Sequence, residues 1–203
     1  MFGLFKNKPK VAPLTHHVYL SQTALYRQLI NKVIEVSELR NKLIVVYYFN
    51  ETGIAITKLL QAAQISFGTS NEPIGTAYKV LLFQAKELAQ YSKIDDFSTI
   101  LFSEIHPVGG VDVELNKILK TKNVDVDIVF YVSMDSPILS PFGAERIVDI
   151  MNKLGMKENE KIEHKLIDTS ILKAQEKLKE HIIHEKEAES IQEWMDLNAG
   201  DIG

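Results

Sequence analysis

Residues 43–49, Leu43-Ile-Val-Val-Tyr-Tyr-Phe49, decide the fold class of this chain. The run is β-branched and aromatic and shows no alternation of apolar with polar residues, which favours a strand covered on both faces, as in a parallel sheet. It is also the longest apolar run, and it is far shorter than the roughly 20 residues that a membrane-spanning helix needs. The sequence therefore predicts a buried strand of an α/β protein without a membrane span.

Helical patterns lie on both sides of this strand. Apolar residues at helical spacing predict a helix from Ser21 to about residue 40. Capping residues at 50–52 predict a second helix that runs to about residue 63, and a short strand is expected at 65–67. A third helix is predicted over residues 71–90, because Asn71 and the proline near it are typical of a helix start.

The middle of the chain continues the alternation. Residues 99–102 and 127–133 are predicted strands, and residues 113–120 are a predicted short helix. The pair Gly109-Gly110 before that helix is interpreted as a turn. The whole pattern predicts an open, mostly parallel sheet of about 4–5 strands with helices on both faces, followed by a helical extension.

The carboxyl-terminal part is more highly charged. A helix is predicted over residues 142–154, closed by Gly155. Residues 157–196 hold seven lysines and eleven acidic residues, an excess equal to the net charge of −4 of the whole chain. Within them begins one long predicted helix, residues 169–198, whose apolar stripe includes Trp194 and Met195 and must be covered by the sheet or by another chain.

Three regions are expected on this basis: a flexible amino-terminal segment (1–17), an α/β domain (18–156) and a charged helical extension (157–203). The amino-terminal segment combines Phe2, Leu4 and Phe5 with nearby lysines. It is interpreted as a frayed tail, and the alternative is a weak contact with a membrane surface. It does not fit a secretory signal, so a cytoplasmic location is expected.

The composition excludes several chemistries. The chain has 203 residues and no cysteine, so it can form neither a disulfide nor a thiolate metal site. Its acidic balance and only three arginines, Arg27, Arg40 and Arg146, argue against nucleic-acid partners, because phosphate binding depends on basic side chains. No phosphate-binding glycine loop, nucleophile elbow or zinc-helix motif is found. The histidine pairs at 16–17 and at 181 and 184 are interpreted as structural or solvated, so no cofactor and no metal are expected.

Polar residues follow three of the predicted strands. They are Asn50, Glu51 and Thr52 after the first strand, Ser103, Glu104 and His106 after the second, and Ser133 and Asp135 after the third. Parallel α/β sheets bind ligands at the carboxyl ends of their strands, so these side chains form a candidate crevice for a ligand or partner. Carboxylates without a lysine or arginine nearby suit a cation or a basic side chain of a partner, and they repel a triphosphate. The alternative is that they only cap the strand ends.

The last third of the chain contains five segments in a characteristic order: Phe130-Tyr-Val-Ser-Met-Asp-Ser-Pro-Ile-Leu139, Phe142-Gly-Ala-Glu-Arg-Ile147, Met151-Asn-Lys-Leu-Gly-Met156, Glu163-His164, and Ser170-Ile171 with Ala174-Gln175-Glu176-Lys177. In sequence, order and spacing these segments resemble the SecA preprotein-translocase motor ATPases. Structural roles are implied for Phe142, Gly143, Arg146, Leu154, Gly155, Glu163, His164, Ala174 and Gln175. The resemblance implies the end of the second RecA-like domain and the start of the scaffold helix.

The chain departs from that family where the motor works. Residues 103–127 should hold two arginine-containing elements that reach the γ-phosphate, and they contain no arginine. Nothing before residue 43 is long enough to hold a first motor domain with its Walker motifs. Phosphoryl transfer by such motors depends on a phosphate loop, Mg²⁺ and an arginine finger. The resemblance therefore predicts a RecA/helicase-like half-motor without catalytic motifs.

The leading functional hypothesis is a non-catalytic, SecA-like accessory or interaction module linked to protein translocation. It would meet a protein partner or a second copy through the carboxyl-terminal helix. The main alternative is a divergent ATP-binding domain or hydrolase that uses the crevice. A third alternative, an RNA-binding relic of a helicase domain, is disfavoured by the acidic balance and the scarce arginines.

Overall fold

The computed structural model of the chain describes residues 13–39, 41–70, 78–163 and 165–200. Six strands form one sheet in the order β1-β6-β5-β2-β4-β3, and every pair of neighbours is parallel. The strands are β1 (Thr15–Tyr19), β2 (Leu43–Tyr47), β3 (Phe67–Thr69), β4 (Val80–Gln84), β5 (Thr99–Phe102) and β6 (Asp127–Ser133). The predicted open, parallel α/β sheet is confirmed, with two strands more than the sequence indicates.

Seven helices accompany the sheet in the described part of the chain. They are α1 (Gln22–Glu38), α2 (Asn50–Ala62), α3 (Ala85–Leu88), α4 (Gly109–Lys122), α5 (Ala144–Lys153), α6 (Lys165–His181) and α7 (Ile191–Asn198). α1 begins as predicted, because the Ser21 hydroxyl accepts a hydrogen bond from the amide of Ala24 at 3.2 Å. Gly155 follows α5 with a positive φ of 80°, as a closing glycine requires.

The core consists of two apolar layers, one on each face of the sheet. Helices α1 and α2 cover one face through residues such as Leu29 and Ile56, both fully buried. Helices α3, α4, α6 and α7 cover the other face, where Leu119 and Leu178 are fully buried. The sequence prediction of helices on both faces is confirmed. No helix in the described residues is both long and apolar enough to cross a bilayer.

Two strands were missing from the sequence prediction. The predicted third helix over residues 71–90 is wrong at Val80–Gln84, which is strand β4, whereas Ala85–Leu88 within the predicted range is helical. Residues 71–77 lie outside the described residues. Strand β1 includes residues 15–17, which the sequence analysis places in a flexible segment. Residues 1–12, which contain the apolar and basic residues of the membrane-contact alternative, also lie outside the described residues.

The predicted long carboxyl-terminal helix is also wrong, because it is two helices. α6 ends at residue 181, and α7 begins at residue 191, where the Ser190 hydroxyl accepts from the amide of Glu193 at 3.1 Å. Both helices pack on the sheet: Leu178 is fully buried and Trp194 is 1% exposed. Ile162 adds a single antiparallel bridge to Val18 at the outer edge of β1. Residues after 156 therefore share the core of the α/β domain.

Candidate functional site

The candidate crevice lies where the sheet changes its direction of winding. Central strand β2 leads into α2 on one face, whereas its neighbour β5 leads into α4 on the other face. Such a divergence of connections opens a gap at the carboxyl ends of the two strands, which is the usual ligand position in open α/β sheets. The order of the strands thus places the ends of β2, β5 and β6 beside one another.

A cavity of about 310 Å³ occupies this position. Six of the eight side chains predicted from the strand ends line it: Glu51, Thr52, Ser103, Glu104, Ser133 and Asp135. Tyr26 of α1 and the segment Ser190-Ile191-Gln192 are among the other residues that line it. The cavity contains three carboxylates, and none of the described lining residues is a lysine or an arginine. The structure therefore brings six of the eight predicted residues together around one cavity.

Glu104 is the best-fixed group of the cavity. Its Oε1 accepts from the amides of Tyr48 at 2.8 Å and Phe49 at 3.0 Å, and its Oε2 accepts from the Thr52 hydroxyl at 2.7 Å. Burial raises the pKa of Glu104 to about 7, although these three hydrogen bonds favour the ionised form. The side chain of the N-cap residue Phe49 cannot accept a hydrogen bond, and the Glu104 carboxylate accepts from the amide of Phe49 instead. A carboxylate of the chain itself therefore lies at the start of α2.

Asp135 and the serines also serve the fold. Asp135 is exposed, and its Oδ2 accepts from the amide of Gln22 at the start of α1 at 3.0 Å. The Ser103 hydroxyl donates to the carbonyl of Val46 at 2.9 Å. Asp135 and Ser103 therefore have the capping and bridging contacts that the alternative interpretation of polar strand ends predicts.

Two predicted residues lie outside the cavity. The Asn50 amide donates to Glu189 Oε2 at 2.6 Å. His106 stacks on Phe49, with ring centroids 6.3 Å apart, and its Nδ1 accepts from the amide of Val108 at 3.1 Å. Its Nε2 lies 3.5 Å from Glu185 Oε1, and burial lowers the pKa of the imidazole despite that neighbour. Both residues contact the carboxyl-terminal segment and not the shared crevice.

Sequence reasoning missed a buried carboxyl, Asp112 of α4. The carboxylate of Asp112 is fully buried and accepts from the Tyr48 hydroxyl at 2.7 Å, from the amide of His106 at 3.1 Å and from Gln175 Nε2 at 2.9 Å. Burial raises its pKa to about 7. The glycine pair predicted to be a turn is in fact the first residues of α4, as the bounds Gly109–Lys122 show. Asp112, an acidic residue in the first turn, is a helix-start signal that could have placed the start of α4 at the glycine pair.

The segment before α7 lies on the start of α2. The amide of Glu51 donates to the carbonyl of Glu189 at 3.0 Å. Trp194 Nε1 donates to Glu185 Oε1 at 2.9 Å, so the same carboxylate oxygen faces both the indole and His106. Trp194 and Met195 are buried in the core beside the sheet, so this part of the apolar stripe is covered by the chain itself, whereas Leu172 and Ile183 of the same stripe are exposed.

The family-matching residues have mixed environments. Ala174 and Gln175 are 1% exposed, and Gln175 Nε2 also donates to the carbonyl of His106 at 2.8 Å. Gly143 has a positive φ of 81° at the start of α5, which favours glycine. Phe142 is half-buried, whereas Arg146 is exposed and Leu154 is 76% exposed. Gly155 closes α5, and the carboxylate of Glu163 pairs with the ammonium group of Lys161 at 2.7 Å. His164 lies outside the described residues.

Potential metal ligands are scattered in the described part of the chain, where no three His, Asp or Glu side chains are arranged to hold a metal ion. His181 and His184 are both exposed, and His184 lies beyond the end of α6. The pair therefore does not share one helix face, as the predicted long helix would have required.

Comparisons with known proteins identify relatives of one kind. The chain is 25% identical over 193 residues to the protein translocase subunit SecA of Prosthecochloris aestuarii, a match that covers 86% of this chain and 19% of the relative. It is 38% identical over 82 residues to the SecA of Phocaeicola vulgatus, which covers 40% of this chain and 8% of the relative. The chain thus spans a fifth or less of the length of these relatives. No family model matches it.

Among solved structures, the C-terminal part of the Fun30 ATPase domain matches 77% of this chain with a TM-score of 0.43 and 11% identity, over 54% of that structure. The chain is similar to the protein translocase subunit SecA over most of its own length, and the resemblance to that family is confirmed.

Proposed function

We propose that this chain is a non-catalytic, SecA-like module that acts in the cytoplasm through contact with a protein of the translocation machinery or with a second copy of itself. The observation that carries the proposal is the chemistry of the crevice. Its described lining holds Glu51, Glu104 and Asp135 and no basic side chain, so a nucleotide triphosphate would meet negative charge without compensation.

The helix starts around the crevice support the same proposal. Glu104 caps α2, and the carbonyl of Glu189 accepts the amide of Glu51 in its first turn. In the first turn of α4, the buried Asp112 carboxylate accepts from the amide of His106 in the loop before the helix. Phosphate groups bind well at helix starts whose amides are free, and at α2 the chain's own oxygen atoms already accept from two of them, those of Phe49 and Glu51.

Nucleotide binding is tested by thermal unfolding of the full chain with ATP, ADP or GTP and Mg²⁺. We expect no stabilisation at millimolar nucleotide, whereas a ligand at 100 times its Kd would add about 2.7 kcal/mol to the free energy of unfolding. A stabilisation that Glu51→Gln and Asp135→Asn strengthen would establish the alternative, a divergent nucleotide-binding domain. That alternative draws on the position of the cavity at the change of winding.

Partner binding is proposed to use the exposed apolar residues of the carboxyl-terminal helices. Leu172 is 42% exposed, Leu197 is 41% exposed, and Ile183 between α6 and α7 is 89% exposed. Light scattering of the full chain, alone and mixed with a purified SecA protein, should show a complex that Ile183→Lys and Leu197→Lys weaken. Val124→Lys, at a 75% exposed position after α4, is the matched control. A monomer that binds no SecA would contradict the proposal.

A further inference from the structure

A second, larger cavity lies between α3 and α4. Its volume is about 700 Å³, within the range of roughly 300–1,000 Å³ typical of small-molecule sites. It is lined by residues of α3 and α4, by residues at the ends of β2 and β4, and by Lys179 near the end of α6. It shares no lining residue with the crevice, so it is a separate site.

The walls of this cavity are mainly apolar. Ala85 and Ala89 form one side, and Val111, Leu115 and Ile118 of α4 form the other. Gly110 also lines the cavity, and a Cβ atom added there would meet nothing within 4 Å. The space beside the first turn of α4 is therefore open, and an apolar group could pack there against the helix.

Most polar side chains of the lining already have partners. The Tyr48 hydroxyl donates to Asp112 at 2.7 Å, and Gln84 Nε2 donates to the Tyr48 carbonyl at 3.1 Å. His106 faces Glu185, and Glu114 lies 3.8 Å from Lys117. These groups are held by the protein and do not need a ligand.

The exceptions are two lysines. Lys86 and Lys179 line the cavity from different helices, and neither ammonium group has a hydrogen bond or an ion pair with any residue in the described ranges. Both side chains are exposed at their own positions. An apolar cavity with two unpaired cations at its border is complementary to a molecule that is apolar at one end and negative at the other.

We propose that this cavity binds a small amphipathic anion. Its apolar body packs between α3 and α4, and its carboxylate, or a comparable anionic group, pairs with Lys86 and Lys179. The site is independent of the proposed translocation function, because none of the residues named for partner binding lines it.

The test compares two fluorescent probes of nearly the same shape on the folded full chain. 1-Anilinonaphthalene-8-sulfonate carries one sulfonate, and N-phenyl-1-naphthylamine has the same rings without it. We expect saturable binding of the sulfonate probe at one site. Its affinity should fall about tenfold or more in the double variant Lys86→Gln/Lys179→Gln, whereas that of the neutral probe should not change. The control Lys58→Gln/Lys173→Gln makes the same charge change at exposed lysines outside the cavity.

A second variant tests the place of binding. Gly110→Phe fills the open space at α4 and should abolish binding of both probes, while circular dichroism confirms that the variant is folded. Two results would overturn the proposal: equal affinity of the sulfonate probe for the two double-lysine variants, or full binding of both probes to folded Gly110→Phe. The lysine variants alter exposed side chains only, so they keep the proposal falsifiable even if Gly110→Phe does not fold.

Discussion

The main-chain amide of Glu51 donates a hydrogen bond to the carbonyl oxygen of Glu189 at 3.0 Å, which fixes the segment before α7 to the first turn of α2. The contact involves backbone atoms on both sides, so it does not depend on which side chains stand at these positions. It gives the carbonyl of Glu189, which lies between α6 and α7, a hydrogen-bond partner outside those helices.

Trp194 should anchor this segment. Trp194→Ala removes a side chain that is 1% exposed and leaves Glu185 without the indole donor, so we expect the free energy of unfolding to fall by about 3–5 kcal/mol. Trp194→Phe keeps most of the packing and should cost less. Because Trp194 is the only tryptophan in the chain, its fluorescence reports docking directly. Emission typical of a water-exposed indole in the native protein would contradict the docked position.

Glu104 and Asp112 should make stability fall as the pH rises. The pKa of each carboxyl is raised to about 7 in the folded protein, so the folded state holds protons that the unfolded state has released. The stabilisation is complete below about pH 4 and is lost as the pH rises through about 7, by roughly 3 kcal/mol for each group. Denaturant unfolding across this range checks the slope, and Glu104→Gln should remove about half of it. An unchanged slope in Glu104→Gln would assign the effect elsewhere.

His16 should act in the opposite direction. Burial lowers the pKa of its imidazole below the ordinary 6.5, even though Nδ1 forms a hydrogen bond of 3.0 Å with Oδ1 of Asp168. The unfolded state therefore binds the proton more readily, and stability falls as the pH drops below about 6.5. Asp168→Asn removes the one group that raises this pKa and should lower it further. NMR titration of the ring is the measurement, and a midpoint above 6.5 in the native protein would refute the assignment.

The two glycines at the start of α4 should respond differently to alanine. A Cβ at Gly109 would lie 2.5 Å from Oε1 of Gln175, which is buried and cannot easily move, so Gly109→Ala should destabilise by more than 1 kcal/mol, roughly the scale of an overpacked core site. Gly110 has open space, and Gly110→Ala should stabilise by about 0.5–1 kcal/mol through helix propensity. Thermal unfolding of the two variants compares them. Equal effects would show that Gln175 does not pack against α4.

The sequence predicts the centre of the fold better than its margins. Residues 43–49 and 127–133 are apolar on both faces, so their strands are evident without tertiary information. The same property misleads at Val80–Gln84, where an apolar run without alternation fits a buried helix as well as a buried strand. β1 contains two histidines among its five residues, so its sequence does not have the apolar pattern of a buried strand. Its strand conformation is evident only from its pairing with β6.

The candidate site was predictable in part. Polar residues after β2, β5 and β6 mark the carboxyl ends of strands, where open α/β sheets bind ligands. The strand order, which the sequence does not show, decides whether these ends lie beside one another. Sequence cannot show that Glu104 turns back to cap α2, that Asp112 is buried, or that residues 189–192 lie over the same edge. Each of these features depends on contacts between residues far apart in the chain, which local patterns do not contain.

The pairing of β1 with β6 has a consequence for synthesis. The first strand of the sheet lies beside the last one, in register from Thr15 with Val129 to Tyr19 with Ser133. On the ribosome, β1 therefore has no sheet neighbour until almost the entire α/β region has emerged, and this long separation slows folding. During synthesis residues 15–19 have no sheet partner until residues 127–133 have emerged, whereas β2 can already pair with β4 and β5.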